Sequence, residues 1–210
     1  MGDISKVKPI LFSTSIVQAI LAGRKTMTRR VVGEDKRGGW AAVNDCRKHE
    51  YGADVPCYLH REISVDDKSR NVMYPRYDVG DILWVRETWA HGCMGGYIYK
   101  AGHEYADRLA ELKQWKPSIH MPKDAARIYL KVTCVKCERL NDISEQDAIA
   151  EGMSETLVDG AVFISAKGKF HVLWDELNTK RGYGWESDPW VWAYRFERYK
   201  NQGGNENEQA

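Results

Sequence analysis

At 210 residues, with Lys plus Arg at 31 against Asp plus Glu at 30 and a formal net charge of +1, the chain is long enough to bury a core as one domain, and any attraction to nucleic acid has to come from a local patch. No stretch approaches the roughly 20 apolar residues of a membrane span and the N-terminus lacks the apolar core of a secretory signal, so the expectation is a soluble, cytoplasmic protein with no membrane partner. Five cysteines, at 46, 57, 93, 134 and 137, are an odd number and fit reduced thiols better than a disulfide framework.

In chain order, Lys8 to Phe12 reads as a short first strand. Ser13-Thr14-Ser15 offers N-cap oxygens, Ile16, Val17, Ile20 and Leu21 recur with helical period, and Gly23 falls where a left-handed C-cap belongs, which predicts a helix between them. Ala22 to Arg30 then packs four cations and two hydroxyls into nine residues. Lys25 and Thr28 would face opposite ways on a flat strand, and a turn would bring both to one side, so a turn is expected here. A solvated basic patch at a helix C-terminus is the plain alternative. From about Gly33 to Arg76 periodicity is lost, which marks a first insertion without regular structure of its own, either a lid bordering the cluster or a surface elaboration. Its Trp40 and Tyr51 either stack on a base or pack against the protein.

Asp78 to Asp81 is a turn, and Ile82 to Trp89 reads as a central strand with an apolar beginning and a charged end. A second irregular region spans about Gly92 to Asp124, with Tyr97 to Lys100 as a possible strand and a helical stretch near Glu104 to Gln114. Arg127 to Thr133 is a β-branched run. The CxxC at Cys134 and Cys137 lies on it, where residues three apart point to opposite faces; no second ligand pair accompanies it, so neither a metal nor a cofactor is expected. Ser144 with Asp147 makes a capping box for a short helix stopped by Gly152. Glu151, at its last turn, opposes the helix dipole unless a cation compensates; taken alone, that position reads as a solvated surface glutamate. Phe170 to Asn178 is a further helical pattern, Trp190 to Tyr199 alternates as a closing strand with one apolar face, and residues 201–210 are polar and expected to be disordered.

Three segments in order, Gly23 to Arg30, Gly80 to Trp89 and Ile143 to Met153, resemble the ASCH domain family, the first through its G-x-K-x-x-[ET]-x-R pattern at Gly23, Lys25, Thr28 and Arg30. The resemblance implies an α+β, PUA-like fold: a mixed β-barrel with short helices at its openings, here a single domain over residues 1–200 with insertions near 33–76 and 92–124. The long form with its Pro-Trp-Val-Trp strand is similar to ASCH proteins of bacteriophages and prophages. The family's compact bacterial N4-acetylcytidine amidohydrolases share the Gly-Arg-Lys-Thr-x-Thr-x-Arg run, and the resemblance carries their catalytic roles onto Lys25, Thr28 and Glu151. It makes Gly23, Arg24, Arg30, Arg86 and Glu87 the expected substrate-binding residues.

Amide hydrolysis without a metal needs a nucleophile, a base to activate it and an acid for the leaving nitrogen. Lys25, Thr28 and Glu151 supply those types, with Lys25 a base if burial and its cationic neighbours lower its pKa. The expected function is removal of an acyl group from the exocyclic nitrogen of N4-acetylcytidine or a related nucleoside. The alternative is a non-catalytic module for RNA or a modified nucleotide, with Arg24, Arg29, Arg30, Lys36 and Arg37 on phosphates. A monomer is favoured for either.

Overall fold

Ile82, Leu83, Trp84 and Val85 alternate too weakly for a half-buried strand, and in the computed structural model of the chain they form one that is covered on both faces. The structure describes residues 7–32, 40–43, 58–61, 72–92, 95–102, 115–158 and 161–199. In chain order these form β1 (Lys8–Leu11), α1 (Thr14–Leu21), β2 (Met27–Val31), β3 (Trp40–Val43), β4 (Tyr58–Arg61), β5 (Val72–Met73), β6 (Ile82–Arg86), β7 (Trp89–His91), β8 (Tyr97–Tyr99), β9 (Tyr129–Arg139), α2 (Glu145–Ala150), β10 (Thr156–Val158), β11 (Ala161–Ile164), α3 (Ala166–Asn178) and β12 (Trp190–Arg198). This is mixed helix and strand. The chain divides into two compact units, each made of discontinuous segments.

The first unit comprises residues 1–18, 80–132 and 196–210. Its sheet is mixed: β1 runs parallel to β6 with Ile10 opposite Val85, and β6 runs antiparallel to the start of β9 with Leu83 opposite Leu130. β6 therefore has a paired strand on each side, an interior position as expected. Leu83, Val85, Leu130 and Val132 are fully buried; side chains of this size each contribute roughly 1.5–3 kcal/mol through burial. The expected strand to Trp89 is in fact two: β6 ends at Arg86, and Trp89 opens β7, which pairs with β8 as an antiparallel hairpin. The break falls where Glu87 is wholly buried and both its oxygens turn to Arg127, at 2.9 and 3.0 Å. An ion pair there takes the place of continued pairing.

The second unit comprises residues 19–79 and 133–195. β2 and β12 pair antiparallel, with Thr28 opposite Tyr194 and Arg30 opposite Trp192. β12 was expected to show one apolar face, yet Val191, Trp192, Ala193 and Tyr194 are all buried. The reason is a cover on each side: Val191 joins the cluster of Leu140, Ile143, Ala148, Phe170 and Trp174 against α2 and α3, while Tyr194 packs edge-on against Tyr77 at 5.2 Å. The first insertion was read as lacking regular structure. Its described residues instead form an antiparallel meander, β3 on β4 on β5, because runs as short as Trp40–Val43 and Tyr58–Arg61 give too few repeats for alternation to show. The helix expected near 104–114, Trp40 and Tyr51 as side chains, Lys36, Arg37 and the tail at 201–210 lie outside the described residues. Among those described, no helix is long and apolar enough to cross a membrane.

Candidate functional site

Gly23 takes a φ of +70°, and the chain leaves α1 there in the left-handed turn that only glycine adopts without strain. The amides of Arg24 and Lys25 both donate to the Ala19 carbonyl, and that of Thr26 donates to Ala150 at 2.8 Å, which stitches the segment to the end of α2. Lys25 and Glu151 form an antiparallel bridge. Gly152, at φ +96°, makes this approach possible: a Cβ there would lie 3.2 Å from Ala19 Cβ and 3.3 Å from Lys25 Cβ. The turn expected across Thr28 is thus confined to Ala22 and Gly23, and Thr28 lies within strand β2. Strand pairing with β12 won over the local clustering of charge: all five β2 residues have register partners on β12, from Arg195 to Val191.

Residue alternation then sorts the cluster into two faces. Met27, Arg29 and, across the pair, Arg195 share one face; Thr28, Arg30, Trp192 and Tyr194 share the other. On the first face sits a buried network of ion pairs. Lys25 Nζ donates to Glu151 Oε2 at 2.6 Å and to the Glu151 carbonyl at 2.9 Å. Arg29, with no exposed side-chain surface, donates to Glu151 Oε1 at 3.2 Å, to Glu138 Oε1 at 2.6 and 2.9 Å, and to Asp147 Oδ2 at 3.1 Å. Lys136 closes on Glu138 Oε2 at 2.6 Å and Arg195 on Asp147 Oδ1 at 3.0 Å.

Glu151 is therefore not the solvated glutamate that its position alone suggested. It is 4% exposed, because Lys25 and Arg29 provide the cations that a carboxylate at a helix C-terminus requires. Lys25 is equally buried. Its desolvation pulls the ammonium below its ordinary pKa of 10.5, Glu151 works in the opposite direction, and Arg30 and Arg29 reinforce the lowering. Burial also acts first on Asp147, raising it, yet Arg29 and Arg195 more than compensate and hold the carboxyl below its ordinary value.

On the second face Thr28 is buried and stands opposite Tyr194. The Tyr194 hydroxyl accepts from the Arg76 amide at 3.2 Å, and burial raises its pKa. The Arg76 guanidinium lies over the Tyr77 ring at 5.6 Å. Arg30 is an exposed residue whose guanidinium is nonetheless desolvated, with the charges of Tyr77, Glu151, Tyr194 and Arg76 all acting on it. Arg24 is exposed too, and donates to the Gly152 carbonyl at 3.3 Å.

The structure thus brings Lys25 and Glu151 into direct contact, but Thr28 stands on the other face of β2 from Arg29 and the Glu151 network, because strand pairing replaces the expected turn; Gly23, Arg24 and Arg30 are in the same unit. Arg86 and Glu87 belong to the other unit. There Arg86 donates to the Ile119 carbonyl and lies over the Trp84 ring at 5.3 Å, and Glu87 is engaged by Arg127. Arg29, named among phosphate-contacting cations, is enclosed by three carboxylates and faces no solvent. Sequence reasoning missed Glu138, Asp147 as an ion partner, Arg76, Tyr77 and Tyr194; the one available signal was a charged residue, Glu138, ending an otherwise apolar-alternating strand. Cys134 and Cys137 are free thiols on β9, one partly and one fully buried, and no group of His, Cys, Asp and Glu able to hold a metal occurs among the described residues. Comparison with protein-family models, with curated proteins and with solved structures returns no match.

Proposed function

We propose that this chain is an ASCH-type amidohydrolase of PUA-like fold that removes an acyl group from the exocyclic nitrogen of N4-acetylcytidine or a closely related nucleoside. The observation that carries the reading is the buried Lys25–Glu151 pair, whose 2.6 Å contact joins a lysine of lowered pKa to a carboxylate. A lysine easier to deprotonate is a better general base near neutral pH. Lys25 takes a proton from water, whose oxygen attacks the acyl carbon, and Glu151 returns that proton to the exocyclic nitrogen as the C–N bond breaks, releasing the amine and the free acid. Thr28, the nucleophile that the resemblance implies, faces the other side of β2 from Arg29, which shares Glu151 with Lys25, and takes no part in this step. Arg24 and Arg30, both exposed, are the cations this reading assigns to a developing oxyanion.

Incubating the protein with N4-acetylcytidine and following the ultraviolet change tests this directly. Turnover is expected in the wild type, with kcat/KM falling as pH drops through the lysine pKa, and Lys25→Ala is expected to lose at least about a hundredfold, the scale of a missing general base. Absence of wild-type turnover at high enzyme concentration removes this substrate. Non-catalytic RNA binding would show instead as an affinity falling by roughly 0.7 log units per log unit of salt for each phosphate contacted.

A further inference from the structure

Glu138 is a buried carboxylate that the hydrolytic step does not use. It lies near the end of β9 with its side chain 4% exposed, and both of its oxygens are engaged. Oε1 accepts from Arg29 Nε at 2.9 Å and Nη2 at 2.6 Å, and Oε2 accepts from Lys136 Nζ at 2.6 Å. A guanidinium is a rigid plane, so anchoring its Nε and Nη2 edge fixes where Nη1 points. Here Nη1 reaches Glu151 Oε1 at 3.2 Å, and the other Glu151 oxygen, Oε2, receives Lys25 at 2.6 Å. Asp147 Oδ2 takes a further Nη2 hydrogen at 3.1 Å, and the guanidinium lies 6.0 Å from the centre of the Phe170 ring. The bonds to Glu138 are the shorter ones. Arg29 is therefore held mainly by Glu138, which leaves Glu151 to face Lys25.

We infer that Glu138 is a positioning residue for the Lys25–Glu151 pair: acting through Arg29, it sets which Glu151 oxygen Lys25 meets and how firmly the two are joined. Arg29 and Lys25 compete for one carboxylate, and inside a protein a cation deprived of its own acid turns to the nearest one remaining. With the Glu138 charge removed, Arg29 draws harder on Glu151 and Lys25 loses part of its counter-charge. The groups acting on Lys25 are Glu151 at the end of α2 and Arg30 and Arg29 on β2; burial is the largest influence and lowers its pKa, Glu151 raises it, and both arginines lower it. Weaker pairing and a less neutralised Arg29 both move it down. The inference rests on the hydrolase reading for its consequence in turnover, and the positioning itself is a property of the folded chain.

The Lys25 titration reads that property without substrate, followed by NMR in protein carrying isotope-labelled lysine, with the Lys25 signal assigned by its loss in Lys25→Arg. Glu138→Gln keeps the shape and an acceptor for Arg29 while removing the charge. It is expected to lower the Lys25 midpoint by about half a pH unit or more, a fraction of the roughly 1–3 pH units that a charge in direct contact exerts. Lys136→Met, at a side chain 55% exposed, removes the cation that competes for Glu138 and should move the midpoint up. An unmoved or raised midpoint in folded Glu138→Gln overturns the inference. If that variant gives no cooperative melt, Lys136→Met decides, and an unmoved or lowered midpoint there overturns it. Where the wild type hydrolyses N4-acetylcytidine, the acid limb of kcat/KM should shift with the midpoint while KM stays near the wild-type value. A limb that stays in place while the midpoint moves overturns Lys25 as the general base, and absence of wild-type turnover overturns the hydrolase reading; in both cases the positioning stands or falls on the midpoint alone.

Discussion

Lys25, Glu151 and Arg29 are each buried and each charged, and such an arrangement is stable only while every member is present. Removing one partner leaves an uncompensated charge inside, at about 3–5 kcal/mol, whereas replacing a pair by apolar groups of similar volume is close to neutral. Glu151→Leu and Lys25→Met are accordingly expected to destabilise strongly one at a time and far less together, a coupling that a double-mutant cycle in denaturant reads out; simple additivity would mean that the pair is not formed. Arg29→Lys should behave as a disruption, because a single ammonium cannot serve Glu138, Asp147 and Glu151 at once. Lysine titration adds a sign. With the folded pKa of Lys25 lowered from 10.5, the unfolded chain binds more protons between the folded value and 10.5, so stability rises with pH across that window. The denaturation midpoint followed from pH 7 to 10 should show this rise in wild type and lose it in Lys25→Met. Glycine turn chemistry made Gly23 legible in the sequence. The role of Arg29 was not legible, since its partners lie 109, 118 and 122 residues away and no local pattern reports contacts of that separation.

At the level of elements, α2 carries most of the site despite its short length. Ser144 caps it, accepting from the Asp147 amide at 3.1 Å, which bears out the capping signal, while the Asp147 carboxylate turns away to Arg29 and Arg195. Ser144→Ala should therefore lower stability by about 1 kcal/mol. Gly152→Ala should do worse, since it combines a left-handed backbone with contacts of 3.2 and 3.3 Å to Ala19 and Lys25, and it should also impair any activity that depends on Lys25. Asp147 gives the same pH sign as Lys25, in an acid window. Its folded carboxyl lies below 3.8, so its contribution is fully present above that value and is lost as pH falls through the folded pKa. Helices with capping residues were legible because the signal lies within four residues. β2 was not, because its extended form depends on pairing with β12, which lies far along the chain.

For the molecule as a whole, two of the three segments that carry the family resemblance, Gly23 to Arg30 and Ile143 to Met153, meet at the Lys25–Glu151 bridge, and the third lies in the other unit as β6 and the start of β7. The order of strands and helices could be read from periodicity in the longer elements; the meander of the first insertion could not, because each of its strands spans only two to four residues. That meander has its described ladder hydrogen bonds within itself, β3 to β4 and β4 to β5. A module that pairs internally can be removed without leaving the strands of its neighbours unpaired. Replacing Trp40 to Met73 by a Gly/Ser linker of about 12 residues, while retaining Arg76 and Tyr77 beside Tyr194, is therefore expected to preserve the fold, with a shorter loop returning about 1 kcal/mol of closure entropy against whatever packing is lost. Thermal melting by circular dichroism should stay cooperative with a midpoint within a few degrees of wild type, and the pH slope assigned to Lys25 should persist. A broadened transition, or loss of that slope, would mean that the meander supports β2 and the buried ion pairs behind it.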